Sequence, residues 1–174
     1  MSDPIAVSRK LVAVFAADVE GYSRLMGTDE VGTLKALTER LGTDEDHLTL
    51  SAIGHSLGAA VALDFAANHR VQKIVLIALF TTLREEAATI FGGWMARMLI
   101  ESYDNRANLA QTRKRNPDAQ VAIFHGTNDE VIPVRMGREL AHEFPFVEFF
   151  TAKGADHVSV LNHAHDDIIN WMNN

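Results

Sequence analysis

Five short apolar runs punctuate the chain, at residues 11–17, 48–53, 73–79, 121–124 and 147–151. None alternates strictly between apolar and polar positions, as a strand with one wet face would, so all five read as strands covered on both faces. The stretches between them carry helical spacing. After the first run, Thr28 is placed to cap a helix with Asp29 and Glu30 in its first turn; Leu34, Leu37 and Leu41 recur on one face before Gly42 ends it. Residues 57–68 are rich in Ala and Leu, residues 83 to about 111 read as one or two helices broken near Gly92 and Gly93, and 135–142 and 161–172 supply the last two. Strands that alternate with helices predict βαβ crossovers and a parallel sheet, hence an α/β fold of about five parallel strands flanked by helices in a single domain.

Composition narrows the function classes. With 174 residues, 47% hydrophobic and 22% charged, the chain has the balance of a soluble globular protein. A net charge of −7 leaves no broad basic surface for phosphates, which argues against nucleic acid as a partner. Arg113, Lys114 and Arg115 form the one basic cluster and, standing just before Asn116 and Pro117, read as a solvated loop at a helix end. There is no cysteine, which removes disulfides, thiolate metal sites and thiol nucleophiles and fits a cytoplasmic location. Arg9 and Lys10 precede an apolar run that Asp18 and Glu20 interrupt; it is far shorter than the roughly 20 residues of a membrane helix, and we read it as a buried strand rather than a signal peptide or membrane anchor.

The sharpest chemical signal is Gly54-His55-Ser56-Leu57-Gly58, placed between an expected strand and an expected helix. A G-x-S-x-G pattern in that position makes a tight turn that forces the serine into a strained backbone conformation and exposes its hydroxyl at the sheet edge. The helix that begins at Leu57 points its free N–H groups and positive dipole end at the reacting centre, with Leu57 N–H as the first oxyanion donor. Asp129 follows the fourth run in Phe124-His-Gly-Thr-Asn-Asp129, and His157 follows the fifth in Lys153-Gly-Ala-Asp-His157. Both therefore stand at strand carboxyl ends, where open α/β sheets bind their ligands.

These three motifs, in the chain order Ser, Asp, His, resemble the C-terminal part of the α/β-hydrolase superfamily over residues 48–174. The resemblance implies a truncated α/β-hydrolase fold and a carboxylesterase in which His157 takes the proton of Ser56, Asp129 orients the imidazole, and an acyl-enzyme is released by water. It requires no metal or organic cofactor. His55, inside the turn, is expected to pack or hydrogen-bond beside Ser56, and His125 to brace the loop that carries Asp129. His163 and His165 read as helix-surface residues whose spacing offers no shared face to a metal.

Residues 9–41 look different. Arg9-Lys-Leu-Val-Ala-Val-Phe-Ala-Ala-Asp18-Val-Glu-Gly-Tyr-Ser23-Arg-Leu-Met is similar to the opening of class III nucleotidyl cyclases, in which an Asp at the position of Asp18 helps to bind catalytic metal. The second metal-binding carboxylate and the base-recognition residues of that family do not follow, which argues against cyclase activity. The reading is a hybrid: a cyclase-like strand and helix stand where a hydrolase has its front, with residues 11–17 in the place of the hydrolase third strand. Right-handed crossovers then put the first four helices on one sheet face and leave only 161–172 for the other. Such a thinly covered face predicts a homodimer or higher homo-oligomer. Ala17, Asp18 and Val19 stand where hydrolases keep a second oxyanion donor, so sluggish turnover is expected.

The substrate class follows from length. A short lid region between 81 and 120, with Phe80, Trp94, Met95 and Met98 as candidate pocket lining, favours short-chain acyl esters, and His55, Val131 and Ile132 complete the expected substrate-binding set. Two rivals remain: a non-catalytic interaction module built on the same fold with a disabled site, and a metal-dependent nucleotide enzyme centred on Asp18.

Overall fold

A computed structural model describes residues 9–13, 49–81 and 104–174. In chain order the elements are β1 (Arg9–Ala13), β2 (Thr49–His55), α1 (Leu57–Asn68), β3 (Lys73–Ile77), α2 (Asn105–Arg115), β4 (Gln120–Gly126), α3 (Val134–Glu143), β5 (Val147–Ala152), α4 (Val160–His163) and α5 (His165–Asn173). The five strands form one sheet in the order β1-β2-β3-β4-β5, and every neighbouring pair is parallel. All strand carboxyl ends therefore open on one edge.

The expectation of strands covered on both faces holds for β3 and β4, whereas β5, at the sheet edge, exposes Glu148 and Thr151. In β3, Ile74 and Leu76 point into one core cluster and Val75 and Ile77 into another, so successive side chains are buried on opposite faces. Each contributes about 1.5 to 3 kcal/mol by leaving water. The first cluster joins Leu50, Ala52, Val121, Ile123 and Val147 of the sheet to α1, to Leu109 of α2 and to Met136 and Leu140 of α3. The second packs Ala122 and Phe124 against Val160 of α4, Ile168 of α5 and Ala164 between them. Among the described residues, three helices thus cover one face and two short ones the other. Nine of the twelve residues of α1 are buried, because this helix lies between the sheet and α2.

Several boundaries differ from the sequence reading. The third strand ends at Ile77 rather than at 79, because Ala78 adopts a left-handed φ of 53° and donates its N–H to Phe124 O at 2.8 Å. The second strand runs two residues further than expected, so Gly54 and His55 still pair with β3. The single helix expected over 161–172 is two, parted at Ala164. Arg113, Lys114 and Arg115 are not a loop but the last turn of α2, where cations meet the negative end of the helix dipole. The helix expected over 28–41, most of the cyclase-like stretch with Asp18, and residues 82–103 lie outside the described residues.

The terminal helix is tied to the sheet by charge as well as by packing. Lys73 at the start of β3 donates to the carbonyls of Trp171 and Met172 at 3.2 and 2.9 Å, with its ammonium 5.5 Å from the Trp171 ring centre. Trp171 Nε1 donates in turn to Glu148 of β5 at 3.0 Å. Lys73→Met keeps the aliphatic stem and removes the cap, so it should lower the unfolding free energy in urea by about 1 to 3 kcal/mol. An unchanged urea midpoint would contradict this role.

Candidate active site

Ser56 lies between the last residue of β2 and the first of α1, with φ 58° and ψ −123°. A side-chain-bearing residue held there costs on the order of 1 to 3 kcal/mol. Its surroundings impose the conformation: Ser56 N donates to Ile77 O at 2.8 Å, and Ala59 N donates to Ser56 O at 3.0 Å. Strand and helix approach so closely that a Cβ on Gly54 would stand 2.1 Å from Gly58 O and 2.7 Å from Ala59 N, which only glycine avoids. As the first residue of α1, Leu57 has no intrahelical acceptor for its N–H, which belongs to the electropositive end beside the Ser56 hydroxyl.

Asp129 stands three residues beyond the end of β4 with its carboxylate fully buried. Its two oxygens divide their partners. Oδ1 accepts from the N–H groups of Val131 at 2.9 Å and Ile132 at 2.8 Å, and Oδ2 accepts from His157 Nδ1 at 2.8 Å. Burial works against the charge, but the hydrogen bonds from His157 and the two backbone N–H groups outweigh it and hold the carboxyl below its ordinary range.

His157 rides on the loop after β5. Asp156 and Ser159 close that loop reciprocally: Asp156 Oδ1 accepts from Ser159 N at 2.8 Å and from Val158 N at 3.0 Å, while Ser159 Oγ accepts from Asp156 N at 2.9 Å. The Asp129 loop is stitched to it, since Asn128 N donates to Ala155 O at 2.9 Å and Gly154 N to Thr127 Oγ1 at 2.8 Å. A Cβ on Gly126 would meet Ala155 O at 2.4 Å. His157 Nε2 is 3.1 Å from Ser56 Oγ, from which it can accept. Hydroxyl, imidazole and carboxylate therefore form one hydrogen-bonded line across the ends of β2, β5 and β4.

The remaining candidates separate. His55 donates from Nε2 to the His157 carbonyl at 2.7 Å, with ring centres 4.8 Å apart, so it clamps the backbone of the histidine loop. Phe80 and Ile132 were expected to line a substrate pocket. Instead they are 3% and 8% exposed, in the core cluster under α1 and α3, and Val131 packs against it. The apolar segments that suggested a pocket serve the sheet's own packing. Trp94, Met95 and Met98 lie outside the described residues. Asp156 is the residue that shapes the His157 turn, and an Asp three positions before a Ser is the turn-closing pattern that could have exposed it. No group of three metal-ligating side chains converges among the described residues.

No protein-family model matches the chain. Two uncharacterised proteins of Mycobacterium tuberculosis are 29% identical over 100 residues, which is 56% of this chain and 34% of theirs. The chain thus matches about a third of the length of those relatives. Solved structures carry the likeness further. An esterase domain from Rhodothermus marinus superposes with a TM-score of 0.62 at 15% identity, over 97% of this chain and 88% of that one. An esterase from Pyrococcus furiosus gives 0.59 at 17% identity, over 84% of this chain and 60% of that one. The S-formylglutathione hydrolase of Staphylococcus aureus gives 0.60 at 15%, over 84% and 63%. The fold is that of the α/β-hydrolases. Among the described residues the sheet has five strands, and the turn that carries Ser56 follows the second of them.

The histidines set an acid sensitivity. Burial holds His55 and His125 below the ordinary imidazole value of 6.5. Below that value the unfolded chain binds protons that the fold refuses, so the stability from these two groups is complete above about pH 6.5 and declines as pH falls beneath it. The Asp129 contribution survives further into acid, and is lost only as pH falls through its depressed folded value. Urea midpoints should therefore drop between about pH 7.5 and about pH 5.5, and drop less in His125→Phe. A midpoint flat across that interval would refute the assignment.

Proposed function

We propose that this chain is a serine hydrolase of the carboxylesterase type that cleaves short-chain acyl esters through an acyl-enzyme on Ser56. The observation that carries the reading is the hydrogen-bonded line from Ser56 Oγ through His157 to Asp129, at 3.1 and 2.8 Å. In this reading His157 Nε2 takes the hydroxyl proton as Oγ attacks the ester carbonyl, and Asp129 stabilises the imidazolium through Nδ1–H. The tetrahedral oxyanion forms at the N-terminus of α1, where Leu57 N–H is one donor. Collapse expels the alcohol with the proton from His157. Water, deprotonated by the same imidazole, then attacks the acyl-Ser56 and releases the acid. The esterase activity named for the Pyrococcus and Rhodothermus structures supports the substrate class, and the short chain between β3 and α2 favours small acyl groups over long lipids.

A fluorophosphonate probe should label Ser56, and short p-nitrophenyl esters should be hydrolysed. Ser56→Ala should abolish labelling and lower turnover by roughly a thousandfold or more. A full rate in Ser56→Ala, or a wild type neither labelled nor active, would overturn the reading in favour of the non-catalytic interaction module.

The same reading includes a homodimer or higher homo-oligomer. Val158, Leu161 and Ile169, on and beside the two short helices, are 69%, 39% and 48% exposed, an apolar surface that a second copy would cover. Light scattering at micromolar concentration should give at least twice the chain mass, and a monodisperse monomer would contradict it.

A further inference from the structure

One histidine of this region takes no part in the proton path. The His125 side chain, on β4, is fully buried. Its Nε2 lies 2.8 Å from Ile132 O, and 3.6 Å from Asp129 Oδ2, the oxygen that accepts from His157. Its Nδ1 is buried with no partner. Gly137 of α3 closes over that atom: a Cβ there would stand 2.7 Å from Nδ1.

A buried N–H with nothing to accept it is costly, whereas a bare ring lone pair is tolerated more easily. The proton of His125 therefore belongs on Nε2, donated to the Ile132 carbonyl, and Nδ1 is the lone pair. The imidazolium needs an N–H at both atoms and is disfavoured. Burial acts in the same direction, holding the imidazole below its ordinary value despite the opposing Ile132 bond and Asp129 charge. The titratable groups that face His125 are Asp129 and His157, with His55 of β2 further off. The α3 residue over Nδ1 is an uncharged glycine.

We propose that His125 is the positioning residue of Asp129, acting only as the neutral Nε2–H tautomer. It closes the 129–132 turn through the Ile132 carbonyl, and the N–H groups of that turn fix Asp129 Oδ1, which leaves Oδ2 aimed at His157. Neutrality matters as much as the bond. A cation 3.6 Å from Oδ2 would compete for the charge that stabilises His157 when it takes the serine proton. The kinetic consequence rests on the proposed hydrolase reading; the geometric one does not.

The test uses the full chain with 15N-labelled histidine. The wild type should show His125 as the neutral Nε2–H tautomer between about pH 6 and about pH 8, and an Nδ1–H tautomer or an imidazolium in that interval would overturn the proposal. His125→Gln carries an amide N–H to the position of Nε2, and His125→Phe fills the space without a donor. His125→Phe should lose the far-downfield proton of the His157 to Asp129 bond and lower kcat on a p-nitrophenyl ester about a hundredfold, with KM within about twofold. His125→Gln should restore the proton signal and bring kcat to within about tenfold of wild type. A Phe variant that keeps both signal and kcat, or a Gln variant as impaired as the Phe variant, would overturn the proposal. Should His125→Phe not fold, the wild-type tautomer and the Gln variant decide. A wild type without esterase activity would sink the hydrolase reading instead, and the downfield proton alone would then judge His125.

Discussion

Parallel pairing is the constraint on which this molecule depends. Five strands that run the same way place every carboxyl-end loop on one edge: His55 stands level with Ile77 and Ile77 with Phe124, and two residues further on Gly126 stands level with Ala152. Side chains 101 residues apart in sequence can then meet at 3.1 Å. The pairing holds because the central strands are buried on both faces, so a slip in register would carry Ile74, Val75, Leu76 and Ile77 out of their two clusters.

On that edge, backbone hydrogen bonds do most of the positioning. Ser56 is kept strained by Ile77 O on one side and the first turn of α1 on the other. One oxygen of Asp129 is given over entirely to its own turn, and His157 sits in a turn that Asp156 and Ser159 close. Around these lie His55 and His125, each donating to a backbone carbonyl of a loop that carries a partner residue. The site is a set of turns pinned to one another, which is how a strained serine persists on a small scaffold.

Much of the edge was legible in advance. Gly54-His55-Ser56-Leu57-Gly58 announces its own turn, because two glycines around a serine between an apolar run and an Ala-rich helix leave few other conformations. Asp129 and His157 could be chosen from chain order and from their places after apolar runs. Boundaries were less legible. Ala78 carries no mark of a left-handed φ, and the split at Ala164 has neither Gly nor Pro to signal it. Phe80 and Ile132 lie in the core cluster, which the sequence could not show, because an apolar residue beside a candidate site looks the same in sequence whether it faces a ligand or the core.

By itself, then, the sequence determined the parallel arrangement of the described strands and marked Ser56, Asp129 and His157 as candidates, since these follow from local periodicity, turn chemistry and motif order. Tertiary structure alone decided which oxygen of Asp129 meets His157, that His55 and His125 serve backbone carbonyls, and that Phe80 belongs to the core. Those outcomes depend on distances between segments far apart in the chain. Such distances are set by how the sheet and helices pack, and no local pattern encodes them.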